Sequence, residues 1–166
     1  MPKWVREAYE DYITRLGSGL KVSLVEIEPG PRGRGAGGAR PPGIGGLGCG
    51  SRDGAVKRPT RAMQVEAQKL LGALRKDEFV VALDEHGVQM TTRELASWLK
   101  TRMQDGRDLA FLIGGPDGFS PEVLGRSDLK WSLSQLTFPH ALVRVVLAEQ
   151  LYRAHGVLTN HPYHRD

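Results

Sequence analysis

Between residues 4 and 16, Val5, Ala8, Tyr9, Tyr12, Ile13 and Leu16 recur at helical spacing with polar residues between them, which predicts an amphipathic helix. Leu20–Ile27 mixes alternation with β-branched residues and reads as a strand. The pattern then collapses: residues 29–59 are rich in Gly, Pro and Arg and nearly free of large apolar side chains. Such a stretch buries too little surface to offset its conformational entropy, so a flexible insertion is expected there. Periodicity returns at Arg61–Arg75, where Met63, Ala67, Leu70, Leu71 and Leu74 form a helical stripe. Phe79–Leu83 is a short apolar run ending at Asp84, read as a buried strand. Thr91 and Glu94 have the spacing of a capping box ahead of Leu95, Trp98, Leu99 and Met103, which predicts a helix.

Leu109–Ile113 reads as a second buried strand, running directly into Gly114-Gly115-Pro116-Asp117-Gly118. Trp131–Ser134 is expected to be a short strand. After Pro139, the residues Leu142, Val145, Val146, Ala148, Leu151 and Tyr152 predict a helix that stops near Gly156. Strands separated by helices point to an α/β fold with a mostly parallel sheet, whose ligands collect at the C-terminal strand ends. The 166 residues suit one domain with a single core, and no internal repeat is visible.

Composition changes this picture little. The apolar fraction of 40% and charged fraction of 25% are ordinary for a globular protein. No apolar run approaches the roughly 20 residues needed to span a bilayer, and the N-terminus has no signal-peptide core. The lone Cys49 permits no internal disulfide. These features predict a cytoplasmic protein. The net charge of +4 and pI near 9.4 invite a nucleic-acid reading, but the charge is unevenly placed. Residues 28–61 hold seven basic and two acidic residues, leaving 16 basic and 17 acidic for the rest of the chain. The basic character belongs to one segment, so composition alone does not establish RNA binding.

Three features carry candidate chemistry. Gly114, Gly115 and Gly118 follow a strand, where backbone without side chains can approach a nucleotide-like cofactor; an ordinary tight turn explains the pattern equally well. Gly43-Ile44-Gly45-Gly46-Leu47-Gly48 matches the dinucleotide fingerprint in letters only, because no strand precedes it and no helix follows it. The tail Asn160-His161-Pro162-Tyr163-His164-Arg165-Asp166 concentrates imidazole, phenol, amide and guanidinium groups. Those groups suit phosphate contact, stacking on an unpaired base, or acid–base work; a polar tail docked on a partner subunit is the competing reading. His161 and His164 have no Cys or acidic cluster beside them, so no metal is expected. Arg144 and Arg153 are more simply read as covering apolar surface or pairing with acids. Glu149 stands four residues before Arg153, at ion-pair spacing. His140 reads as structural at a helix entry, and His86 as a solvent-exposed turn residue.

Four blocks in order carry a resemblance to a known family: Leu112–Gly118, Trp131–His140, Leu142–Ala154 and Asn160–Arg165, with Met1–Val5 resembling the family's first helix. The chain resembles the bacterial ribosomal RNA pseudouridine N3-methyltransferases of the SPOUT class. That resemblance implies an α/β fold with a C-terminal trefoil knot, an exception to the rule that chains do not thread. It implies S-adenosyl-L-methionine as cofactor, contacted at Leu83, Gly114 and the loop Leu133, Ser134, Gln135, Leu136, Thr137 and Phe138. It implies a homodimer acting on large-subunit ribosomal RNA in the assembled ribosome, with no membrane or DNA partner. Tyr163, His164, Arg165 and Arg153 become the expected catalytic set. The chain departs from the family pattern by lacking its first strand and in the 29–59 segment. A catalytically impaired RNA- or ribosome-binding protein with the same fold is therefore the alternative expectation.

Overall fold

The fold is that of a computed structural model, which describes residues 2–17, 20–27, 60–115 and 117–161. The expected 29–59 insertion lies outside the described residues. The first helix, α1, spans Lys3–Leu16 and buries Val5 and Leu16. Helix α2 spans Arg61–Ala73; Thr60 caps it by accepting the Met63 N–H on its hydroxyl. Strand β1 covers Phe79–Gln89. Helix α3, Thr92–Asp105, starts at the expected capping box, in which Thr91 Oγ1 accepts the Glu94 N–H and Glu94 Oε2 accepts the Thr91 N–H. Strand β2 is Leu109–Ile113, α4 is Pro121–Arg126, β3 is Leu129–Ser132, and α5 is His140–Leu158.

The three strands form a parallel sheet in the order β2-β1-β3. Both faces are covered, which explains why Phe79–Leu83 is continuously apolar and does not alternate. Val80, Ala82 and Leu112 pack with Ala67 of α2 and with Phe119 and Val123 at α4. Val81 and Trp131 pack on the other face against Leu95 and Leu99 of α3 and Leu147, Leu151 and Ala154 of α5. Edge-to-face contacts link Phe79 to Trp98 at 6.0 Å and Trp98 to Phe111 at 6.4 Å. Helix α5 is apolar nearly all round because α3 and α1 both lie against it. Tyr12 of α1 meets Tyr152 of α5 at 6.1 Å.

Five elements differ from the sequence reading. Leu20–Ile27 forms no strand: alternation predicts a face but supplies no ladder partner, and these residues pair with none among those described. Leu20 packs on the core, Glu26 pairs with Arg144 of α5, and Val25 stays in solvent. Strand β1 continues past Leu83, rejoining β3 through Val88 and Gln89 after a register shift. Strand β3 begins and ends two residues earlier than expected, because Ser134 turns the chain: Ser132 Oγ donates to the Ser134 carbonyl at 2.9 Å. Helix α5 runs through Gly156. Its stop is Asn160, at φ +53°, with the His161 N–H on the Gly156 carbonyl and the Asn160 N–H on that of Val157. Helix α4 was not expected, although Ser120 followed by Pro121 is a cap and first-turn signal; Ser120 Oγ accepts the Val123 N–H.

Candidate active site

Parallel pairing brings the ends of β2 and β3 level with Leu83, where the register of β1 shifts. Leu83 of β1 is in register with Ile113 of β2 and with Trp131 of β3. The residues that follow those partners are Gly114 on one side and Ser132–Leu133 on the other. Leu83, Gly114 and the loop from Leu133 to Phe138 are therefore assembled at the C-terminal edge of the sheet, where an open α/β sheet holds its ligands.

The glycine turn is closed by the Gly118 N–H donating to the Gly115 carbonyl at 2.9 Å, with Gly118 at φ +78°. A Cβ on Gly114 would stand 3.2 Å from the Phe119 ring, so any side chain there would press on the buried phenyl beneath. The Gly115 N–H donates to Glu66 Oε1 of α2 at 3.1 Å. Across the edge, Ser134 Oγ accepts the Leu136 N–H at 2.9 Å and shapes the loop. Leu133 packs on the core, Ser134 and Phe138 are half-buried, and Gln135, Leu136 and Thr137 are open, Leu136 being 72% exposed. The site thus offers the backbone groups of a glycine turn and of a polar loop, with apolar groups beside them. A flat nucleoside with hydrogen-bonding edges fits such a lining.

Between Leu83 and Val88 the chain bulges outward. Asp84 Oδ1 accepts the His86 N–H at 2.8 Å and faces His86 Nδ1 at 3.3 Å. The His86 side chain is 83% exposed, as the turn reading expected. Gly87 lies against β3, where a Cβ would come within 2.6 Å of the Lys130 carbonyl carbon and the Trp131 nitrogen.

Of the expected catalytic set, Tyr163, His164 and Arg165 lie outside the described residues, and Arg153 is within them. The Arg153 Nε donates to Glu149 Oε1 at 2.8 Å, and a second guanidinium nitrogen meets the same oxygen. The i,i+4 pairing read from the spacing is therefore present. The start of the tail is fastened: His161 stands edge-on to Tyr152 at 6.2 Å, and its N–H bonds the Gly156 carbonyl at 2.9 Å. His140 opens α5 directly beyond the Phe138 end of the loop. Glu66 is the site residue the sequence did not point to. It is one half-buried carboxylate beside the Met63, Ala67 and Leu70 stripe of α2, and its partner is 49 residues away.

Comparison with known proteins identifies the family. A family model described as "Predicted SPOUT methyltransferase" matches residues 1–164. A protein of Alkalilimnicola ehrlichii named ribosomal RNA large subunit methyltransferase H is 48% identical over 165 residues, covering 99% of this chain and 92% of its own. Proteins of the same name from Thiobacillus denitrificans and Nitrosococcus oceani are 44% and 41% identical, the alignments covering 100% and 99% of this chain and 93% and 92% of theirs.

Proposed function

The chain belongs to the SPOUT methyltransferase family, and on that premise we propose that it methylates N3 of a pseudouridine in large-subunit ribosomal RNA, with S-adenosylmethionine as methyl donor. The observation that carries this reading is the convergence of Leu83, Gly114 and the 133–138 loop on one sheet edge, in a chain whose match to the family runs essentially end to end. The donor, when bound, supplies an electrophilic sulfonium methyl. Backbone groups at Leu83, at Gly114 and along 133–138 would hold its nucleoside. The protein's main contribution is positioning, since methyl transfer needs nitrogen and methyl held in line.

The pseudouridine N3 carries a proton that must leave as the N–C bond forms. His164 and Tyr163 are the groups of the tail suited to accept it, and Arg165 and Arg153 suit phosphate or developing negative charge. Geometry supports taking the tail from a second subunit. Helix α5 advances about 24 Å from His140 to Gly156. His161 is anchored at Gly156, and the three residues onward to His164 reach about 10 Å at most. One tail thus falls short of the Phe138 end of its own loop, which favours a homodimer with two composite sites. A ribosomal substrate makes the reaction a cytoplasmic one in this reading.

Alanine at Tyr163, His164 or Arg165 should abolish transfer and leave donor affinity nearly unchanged. Mixing a His164→Ala chain with a chain disabled at Gly114 should recover activity, because one site of each mixed dimer is then intact. Full transfer by all three tail variants would overturn the assignment of the tail, and no recovery on mixing would overturn the shared site.

A further inference from the structure

We propose that Glu66 is a positioning residue: its carboxylate clamps the glycine turn in the shape that receives the methyl donor. The proposal rests on the reading of the Gly114 edge as the donor site. Residues 114–118 contain three glycines, and glycine loses more conformational freedom on ordering than any other residue. A turn of that composition gains from an external tether, because any ordering left undone is subtracted from ligand affinity. Helix α2 supplies one. Glu66 Oε1 accepts the Gly115 N–H at 3.1 Å, and a Cβ on Gly115 would stand 3.0 Å from each carboxylate oxygen. A side chain at the second position of the turn would therefore press on the same carboxylate that fastens it.

Glu66 is not what secures α2 to the body of the protein. Ala67, Leu70 and Leu71 pack against the Val80, Ala82 and Leu112 face of the sheet and hold the helix there. The carboxylate adds a charge-assisted bond to one backbone amide of the turn, and such bonds are stronger than neutral ones. Its consequence falls on the turn, and so on donor binding, more than on the chemical step.

The test uses the full chain and four variants: Glu66→Gln, which keeps an acceptor oxygen; Glu66→Ala, which removes it; Glu66→Asp, which keeps the charge but is too short; and Gly115→Ala, which displaces it. Titration with S-adenosylmethionine should show roughly ten-fold weaker binding for the Ala and Asp variants, the size expected for losing a charged hydrogen bond. KM for the donor should rise in step while kcat stays unchanged, and the Gln variant should stay within about three-fold of the parent. Gly115→Ala should weaken donor binding as the Glu66→Ala variant does. Hydrogen exchange at the Gly115 amide, measured without donor, should be slow in the parent and Gln proteins and fast in the Ala and Asp proteins. If the Ala variant does not fold, the Asp variant carries the same comparison. Parent-like donor affinity in the Asp variant, or equal loss in Gln and Ala, overturns the proposal. A parent chain that takes no donor overturns the function above instead, and the exchange measurement still decides the clamp.

Discussion

Gly87→Ala is the substitution for which the packing makes the sharpest demand. Gly87 sits in the bulge of β1, and a Cβ there would lie 2.6 Å from both the Lys130 carbonyl carbon and the Trp131 nitrogen, and 2.7 Å from the Lys130 oxygen. Non-bonded carbon atoms settle at about 3.5–4.0 Å, so about 1 Å must be regained between two strands of one sheet. The obstacles are backbone atoms, which cannot rotate aside as a side-chain end can. Overpacking of this kind costs about 1–3 kcal/mol, and rigid neighbours place it toward the upper end, against a total stability of about 5–15 kcal/mol for a domain. The displaced pairs include Val88 with Trp131 and Gln89 with Ser132, immediately before the 133–138 loop, so donor affinity should fall as well. Urea unfolding of parent and variant gives the stability change, and a donor titration gives the second effect. Gly72→Ala is the control: in α2, with nothing within 4 Å of the added carbon, it should stabilise the protein by up to about 1 kcal/mol. A Gly87→Ala protein within about 0.5 kcal/mol of the parent would refute the reasoning, since that is the range of an inconsequential surface change.

Other substitutions separate the forces that hold the site in place. Leu95→Ala, at a fully buried position of α3, should cost about 2–5 kcal/mol in the same unfolding assay. Asp128→Ala should cost about 1–3 kcal/mol, because Asp128 Oδ2 accepts the N–H of the fully buried Val80 at 2.8 Å and the variant leaves that amide unpaired. Glu94→Ala should destabilise the protein in a pH-dependent way. The Thr91 backbone N–H, and then its hydroxyl, hold the Glu94 carboxyl below the ordinary glutamate value. A depressed folded value means the contribution is complete above the ordinary range and is lost as pH falls through the folded value. The difference between parent and Glu94→Ala should therefore shrink on acidification, and a difference constant with pH would contradict it.

What could be read from the sequence followed the range of the interactions. The α3 capping box, the stripe of α2 and the apolar runs of β1 and β2 are set by neighbours a few residues apart, and each appears near its expected place. Leu20–Ile27 shows the limit: its alternation is real, but a strand exists only when another strand offers a ladder. Gly156 shows another, since a glycine near a helix end can serve packing; a Cβ there would stand 3.8 Å from that of His161, and Asn160 makes the left-handed stop. At the site, the residues alone indicated a glycine turn and a reactive tail, each with a plain structural reading. Their grouping with Leu83 and the 133–138 loop came from the family resemblance, and the strand register supplies a physical reason for it. Glu66 was illegible because its partner is distant in sequence, and no local pattern distinguishes a clamp from a solvated carboxylate.

The central claim is a chemical one, and the modified RNA tests it most directly. Assembled ribosomes whose large-subunit RNA carries the unmethylated pseudouridine would be incubated with the protein and S-adenosylmethionine, and the RNA then digested and mapped by mass. The account predicts the gain of one methyl group on a single pseudouridine, located at N3, and dependent on the donor. No methyl gain, with saturable donor binding or without it, would contradict it, as would methylation at any base other than a pseudouridine.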